Sequence, residues 1–252
     1  MSSSYPLSLT EPYSGGRAGA RLLYDFSVMS ALLNPSVLDA PILDFGAGSG
    51  WVSEFLVRMG FEVVSFDIHG DLKGRLEGRV HADKRIDGAS WRYSQGDGHA
   101  MPFETNTFGH LCCYDTLHHM HDYHQVFKEF FRVLKPGGRG IFVEPGGRHS
   151  SSPETIEFLK AQKVHDPNWI ERDVVLEEID QIAREVGFKT GLFIIPMPHP
   201  SALQGFNMSE WRQFIDGDEY QRLRLTDQLA NINYWERVIF YIDKPLEEDP
   251  PE

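Results

Sequence analysis

A glycine-rich segment is the sharpest chemical feature of the sequence. Between Asp44 and Gly50 (DFGAGSG), three glycines occupy alternate positions directly after an apolar run. Glycine adopts positive φ without steric cost and lets the backbone approach a ligand closely. Trp51 replaces the last glycine of a dinucleotide fingerprint, and the lysine of a triphosphate-binding loop is missing. The pattern predicts a ligand-binding turn, excludes nucleoside triphosphates and weakens the case for a dinucleotide.

Two acidic residues follow at places suited to a nucleoside. Asp67 ends the apolar run VVSFD, about 20 residues after the first glycine, where a carboxylate accepts hydrogen bonds from both ribose hydroxyls. Asp97 follows another predicted strand and precedes a proline-containing turn. Its carboxylate is placed to accept a hydrogen bond from an exocyclic amine such as that of adenine. Together they predict that the ligand is a nucleoside derivative.

Five histidines are candidates for acid–base chemistry near neutral pH. They are His118, His119, His121, His124 and His149. All follow apolar runs that we predict to be the fourth and fifth strands, and ligands of open α/β sheets bind at the carboxyl ends of such strands. We therefore take His118, His119 and His149 as candidate catalytic bases, with pocket lining as the alternative role of the first two.

The same cluster does not predict a metal site. Asp122 and Gln125 fit a helix capping box, which places His124 in an exposed first turn. No carboxylate pair accompanies the histidines at ligand spacing. Cys112 and Cys113 are neighbours in one strand and point to opposite faces, so they predict neither an unstrained disulfide nor zinc. We expect no bound metal.

The elements that must position these residues alternate between strand and helix. Apolar strands are predicted at residues 42–46, 63–67, 110–115 and 140–144, with helices at 51–59 and 123–134. Such alternation is typical of parallel βαβ units with both faces of the sheet covered. We predict a Rossmann-like, doubly wound α/β fold.

The flanking segments complete one domain. Helices are predicted at 18–33, 153–163 and 174–186, and strands at 188–195 and 235–242. The last two strands would form the antiparallel edge of a seven-stranded sheet. An insertion of 39 residues, 196–234, separates them and is long enough to be a lid. We divide the chain into a helical segment (1–40), a core (41–145), an acceptor segment (146–195), the lid and a final strand with an acidic tail (235–252).

Residues 41–145 resemble the class I S-adenosylmethionine (SAM)-dependent methyltransferases of the type 11 group. The resemblance rests on the order and spacing of ILDFGAGSG, VVSFDI, QGDGHAMPFETNTF, YDTLHHM and FFRVLKPGGRGIFVEP. It implies SAM as the cofactor and a methyltransferase activity. The cofactor-binding residues that it implies are Asp44, Gly46, Ala47, Gly48, Gly50, Asp67, Ile68, Asp97, Gly98, Cys113 and Tyr114. Gly109 departs from the family, which commonly has Asp there.

The acceptor is expected to be a small molecule. The EPGGRHS segment (144–150) and the acidic ERD segment (171–173) resemble methyltransferases of surface-glycan assembly, which implies a sugar oxygen. Trp169 is a candidate for stacking on a ring. An NAD-dependent oxidoreductase and a non-catalytic SAM-binding regulator remain alternatives.

Composition supports an acidic, folded enzyme. Of 252 residues, 41% are hydrophobic and 24% are charged, so a disordered chain is excluded. The net charge of −13 disfavours nucleic acid and anionic membrane surfaces as partners. The sequence has neither an apolar run long enough for a bilayer nor a signal-peptide pattern, so we expect no membrane insertion and a cytoplasmic location.

Overall fold

The computed structural model describes residues 11–12, 16–195, 208, 212, 216–220, 223 and 237–246. The lid expected at residues 196–234 therefore lies almost entirely outside the described residues. Among the described residues, no helix has the length and apolar character needed to span a bilayer.

Helices and strands alternate along the chain. The helices are α1 (Gly16–Ala31), α2 (Trp51–Arg58), α3 (Leu72–Ala82), α4 (Tyr123–Val133), α5 (Pro153–Gln162) and α6 (Leu176–Val186). The strands are β1 (Ile42–Phe45), β2 (Val63–Asp67), β3 (Trp91–Gln95), β4 (Phe108–Tyr114), β5 (Leu134–Pro145), β6 (Lys189–Ile194) and β7 (Arg237–Asp243). Short 3₁₀ turns lie at Pro35–Val37, Gly88–Ser90 and Leu117–His119.

The seven strands form one sheet in the order β3-β2-β1-β4-β5-β7-β6. The first five are parallel, whereas β7 runs antiparallel to both β5 and β6. The order reverses between β1 and β4, so a crevice opens there at the carboxyl ends of the strands. The predicted α/β class, the number of strands and the antiparallel edge are confirmed.

Side chains alternate between two cores, one on each face of the sheet. Along β1, Ile42 packs with the core under α1 and α2, and Leu43 packs with the core under α4 and α6. Cys112 and Cys113 divide between the same two cores and are free thiols, as the alternation predicts. Burial on both faces holds the strand ends in a fixed register.

Some boundaries differ from the predicted ones. β5 begins at Leu134 rather than near residue 140, because Leu134 already pairs with Phe108 before an irregularity in the ladder. Gly109 lies near the start of β4, at the irregularity in the ladder that joins β4 to β5. A side chain at this position would collide with the backbone oxygen of Val37. Glycine at 109 is therefore required by the packing of the loop before β1, away from the carboxyl edge of the sheet.

Candidate functional site

A cavity of about 560 Å³ lies at the carboxyl edge of the central strands. Its walls come from the glycine-rich loop after β1 and from the segments that follow β2, β3 and β4. The wall on the other side is the loop of residues 166–170, which precedes α6. Residues far apart in sequence thus share one cavity because parallel strands end at the same edge.

The glycine-rich loop has the conformation that its composition predicts. Gly46, Gly48 and Gly50 all have positive φ, at 71°, 52° and 77°. Gly46, Ala47 and Gly48 line the cavity. A side chain at Gly46 would collide with Thr116, so this loop and the end of β4 are in close contact. Gly50 does not line the cavity and instead begins α2 as its N-cap residue.

Asp67 lies at the cavity edge of β2 and is only 8% exposed. Its Oδ2 accepts a hydrogen bond from the Gly48 amide at 2.8 Å, and its Oδ1 accepts one from the His69 amide at 2.9 Å. A carboxylate has about four acceptor positions, so two remain for a ligand. The next residue, Ile68, lines the cavity and is largely exposed.

Asp97 and Gly98 line the cavity after β3. Asp97 Oδ1 accepts a hydrogen bond from the His99 amide at 2.9 Å and contacts His99 Nδ1 at 2.6 Å. The hydrogen bond from the His99 amide is the main reason that the pKa of Asp97 lies below its usual value. A Cβ at Gly98 would come 2.5 Å from the Phe45 ring. Only glycine allows the backbone to pack this closely on the Phe45 ring.

Asp44 is placed differently from what the resemblance implies. It does not line the cavity and is 1% exposed beneath the glycine-rich loop. Its Oδ2 accepts a hydrogen bond from the Ser53 amide at 3.1 Å, which ties the loop to α2. Burial raises the pKa of Asp44 to about 7 despite this hydrogen bond. Asp44 therefore supports the binding loop from below.

Cys113 also does not line the cavity, because the pleat of β4 directs it into the core. Its thiol donates a hydrogen bond to Glu144 at 3.3 Å, and burial raises its pKa. Tyr114 does line the cavity. The Tyr114 hydroxyl donates to Asp25 of α1 at 2.9 Å, and Asp25 also pairs with the buried Arg237 at 3.0 Å.

The structure separates the three candidate bases. His118 is 3% exposed and lies between two carboxylates, with Nδ1 at 2.8 Å from Glu144 and Nε2 at 3.3 Å from Glu171. Burial alone would lower its pKa, but the two carboxylates raise the pKa of His118 to about 10. His118 is therefore cationic at neutral pH and has no free lone pair, which excludes it as the base.

His119 lines the cavity, and its Nδ1 lies 3.0 Å from the carbonyl oxygen of Ile170. Burial and the neighbouring charge of His118 lower the pKa of His119. The ring is therefore neutral at neutral pH, with Nδ1 donating and Nε2 free to accept a proton.

His149 lies behind the cavity wall rather than in it. Its Nε2 contacts Glu171 at 2.7 Å and its Nδ1 lies 3.3 Å from the Thr155 hydroxyl. Both ring nitrogens thus face protein groups. The placement disfavours His149 as the base.

Several residues in or beside the cavity were not assigned a role from the sequence. Asp115 follows β4 in the left-handed region, with φ at 54°, and lines the cavity together with Arg21 of α1. Glu144 and Glu171 are buried partners of His118. Only the acidic ERD segment pointed towards Glu171, and without assigning it a role.

Carboxylates do accompany the histidines in space, contrary to the expectation from spacing. Among the described residues, two groups bring their ligand atoms within metal-binding reach: His118, His119 and Glu171, and Asp115, His118 and Glu144. Their separation in sequence hid this arrangement. Hydrogen bonds between the imidazoles and carboxylates already satisfy these groups, so we assign no metal to them.

Comparison with known proteins identifies the central segment. Residues 43–142 match the family described as a methyltransferase domain. The chain is 25% identical over 148 residues to phosphoethanolamine N-methyltransferase 2 of Caenorhabditis elegans, covering 58% of this chain and 32% of that protein. It is 32% identical over 172 residues to demethylmenaquinone methyltransferase of Lactococcus lactis, covering 58% and 65%. The chain thus spans less than two thirds of these curated relatives.

Solved structures share the fold. Phosphoethanolamine N-methyltransferase 2 of Haemonchus contortus, in complex with SAM, has a TM-score of 0.59 at 21% identity, covering 88% of this chain and 52% of that one. A putative sarcosine dimethylglycine methyltransferase of Galdieria sulphuraria has a TM-score of 0.58 at 22% identity, covering 90% and 86%. The central segment, residues 43–142, therefore matches the methyltransferase domain family, and the chain shares the α/β fold of these solved structures.

Proposed function

We propose that the protein binds SAM in the 560 Å³ cavity and transfers its methyl group to a small-molecule acceptor. One observation carries this proposal: the methyltransferase domain brings its glycine-rich loop, Asp67 and the Asp97-Gly98 turn to a single cavity. When bound, SAM supplies a methyl group that is activated by a positively charged sulfur.

The residues present fit such a cofactor. Asp67 has acceptor positions free for the ribose hydroxyls, and Asp97 lines the cavity as an acceptor for the adenine amine. Arg21 lines the cavity, and its buried Nε has no hydrogen-bond partner among the described residues. A buried donor without a partner is costly, so Arg21 suits the carboxylate of the methionine portion. Gly46 and Thr116 form the wall between these two ends.

His119 is the proposed general base. Its Nε2 accepts the proton of an acceptor hydroxyl, while Ile170 holds the opposite nitrogen as a donor. Removing that proton makes a poor nucleophile reactive, which contributes typically 10²- to 10⁴-fold to a rate. The glycine-rich loop and Asp67 hold the cofactor in place, so that much of the remaining rate enhancement comes from orientation.

The acceptor that we propose is a hydroxyl of a sugar or glycan precursor. Trp169 presents its indole at the cavity wall beside His119, with ring centroids 4.8 Å apart. Asp115, Asp166 and Asn168 also line the cavity and offer acceptors for several hydroxyls. These carboxylates disfavour phosphate or carboxylate groups on the acceptor. The relatives named above act on phosphoethanolamine and demethylmenaquinone, so amines and quinols are the competing acceptor classes.

Calorimetry and a turnover assay test the proposal. We expect one site for S-adenosylhomocysteine and none for NAD; binding of NAD alone would instead support an oxidoreductase. Purified protein is then given SAM with panels of neutral sugars and oligosaccharides, amines and quinols, and S-adenosylhomocysteine is quantified. Turnover with the sugars supports the acceptor class, and turnover only with amines or quinols overturns it. Cofactor binding without turnover on any panel would indicate a non-catalytic regulator.

A further inference from the structure

Glu171 connects the methyltransferase domain to the acceptor side of the cavity. Its side chain is 2% exposed, although it lies outside residues 43–142. Glu171 Oε2 contacts His149 Nε2 at 2.7 Å and His118 Nε2 at 3.3 Å. Its Oε1 accepts a hydrogen bond from Trp169 Nε1 at 2.7 Å. One carboxylate therefore joins three segments of the chain.

These contacts fix the loop that touches His119. The Arg172 amide donates to the His118 carbonyl at 3.1 Å, directly beside Glu171. The preceding residue, Ile170, accepts the hydrogen bond from His119 Nδ1, and the Trp169 ring packs on His119. Ile170 thus contacts the edge of the His119 ring, and Trp169 packs on its face. Glu171 is the buried anchor of this loop.

We propose that Glu171 is a positioning residue for His119, holding its Nδ1–H on Ile170 so that Nε2 faces the cavity. The inference rests on the proposed function, in which His119 takes the acceptor proton. Glu171 itself does not line the cavity, so it is placed to act through His119 and not directly on a ligand.

The charged groups around His119 determine the direction in which its pKa should shift when one of them is removed. Glu171 Oε1 lies 3.5 Å from His119 Nδ1, and the His118 ring centroid lies 3.9 Å from that of His119. Glu144 and Asp115 also act on His119 electrostatically. The carboxylates favour protonation of His119, whereas the cation of His118 opposes it. Loss of Glu171 and loss of His118 should therefore shift the pKa of His119 in opposite directions.

The experiment compares Glu171→Gln, Glu171→Asp and His118→Gln with a matched control. Glu178→Gln is the control, because Glu178 pairs with the neighbouring Arg172 in a partly exposed bridge of 3.2 Å. The His119 imidazole is followed by NMR through a pH titration, and its signal is assigned by its loss in His119→Ala. We expect Glu171→Gln to lower the pKa of His119 and reduce the Nδ1–H tautomer. His118→Gln should raise that pKa, and the control should match the wild type. Unchanged tautomer and pKa in Glu171→Gln would overturn the proposal.

Kinetics supply the second readout. We expect Glu171→Gln to lower kcat about 10- to 100-fold, the range for a misplaced catalytic group, with the KM for SAM unchanged. Glu171→Asp keeps the charge but shortens the side chain, so it should lower kcat as well; wild-type kcat in this variant would contradict the positioning role. If the wild type transfers no methyl group, the proposed function fails, while the NMR comparison still decides the role of Glu171.

Discussion

The imidazole of His119 donates its Nδ1 proton to the backbone carbonyl of Ile170, 3.0 Å away. A carbonyl oxygen only accepts hydrogen bonds, so this contact fixes the tautomer of the neutral ring and leaves the Nε2 lone pair available. His119 follows β4 in the segment that matches the methyltransferase family, whereas Ile170 belongs to the loop on the opposite wall of the cavity. This hydrogen bond thus links the two sides of the site.

Replacing His119 with Gln should separate catalysis from cofactor binding. We expect turnover to fall about 100-fold or more, because the acceptor proton loses its base. Affinity for S-adenosylhomocysteine should change little in calorimetry. The control is His124→Gln, which alters an exposed histidine 3.8 Å from Glu185 on α6. Equal turnover of the two variants would remove His119 from the mechanism.

The pH profile should reflect the lowered pKa of His119. Burial, followed by the charge of His118, favours the neutral ring, so the active form persists below the ordinary histidine pKa of about 6.5. We expect the midpoint of the acidic limb of kcat to lie below pH 6.5. Initial rates at saturating substrates, from pH 5 to pH 9, measure this limb. A midpoint above pH 7 would argue against His119 as the titrating group.

Asp67→Asn should weaken cofactor binding. The substitution removes the charge from a group that accepts hydrogen bonds from Gly48 and His69, and such bonds to charged groups contribute about 1.5–3 kcal/mol each. We expect the Kd for S-adenosylhomocysteine to rise about 10- to 100-fold in calorimetry. The matched control is Asp39→Asn, an exposed residue before β1 at the opposite edge of the sheet. An unchanged Kd in Asp67→Asn would contradict the assigned ribose site.

Two glycines with positive φ allow a matched test of the binding loop. Gly60→Ala places its methyl group in open space and should cost about 1 kcal/mol for the backbone conformation alone. Gly46→Ala bears the same cost and also collides with Thr116, which adds about 1–3 kcal/mol for overpacking. Urea unfolding measures the difference, and calorimetry should show cofactor binding lost only in Gly46→Ala. Similar behaviour of both variants would mean that the Thr116 contact has no importance.

The buried cation of His118 makes stability depend on pH. The pKa of His118 is raised to about 10 in the folded protein and is about 6.5 when unfolded, so the folded state binds more protons between these values. Its stabilisation is fully present below pH 6.5 and is lost as pH rises through about 10. At pH 6 we expect His118→Gln to cost roughly 3–5 kcal/mol, as for a broken buried ion pair. The difference from the wild type in urea unfolding should shrink by pH 10; a constant difference would contradict the ion-pair assignment.

The sequence by itself determined the fold class and the cofactor side of the cavity. Local rules predict the turn at residues 44–50 and the positions of Asp67 and Asp97. These rules are that glycines adopt positive φ, that burial alternates along a strand, and that carboxylates lie at strand ends. These rules act over short stretches of chain, so they can be read without coordinates. Asp44 and Cys113, which the resemblance implied as cofactor-binding residues, do not line the cavity, because the pleat of each strand directs their side chains away from it.

Only the tertiary structure separates the protonation states of the two adjacent histidines. His118 and His119 are adjacent in sequence, yet one is held as a cation between Glu144 and Glu171 and the other is held neutral against Ile170. Their partners come from segments 25 or more residues away, as the separations of 26 and 51 positions show. Electrostatic energies depend on distances of a few ångströms and on burial, and neither quantity is encoded in local spacing. The protonation states of the site therefore emerge only when β4, β5 and the loop before α6 meet.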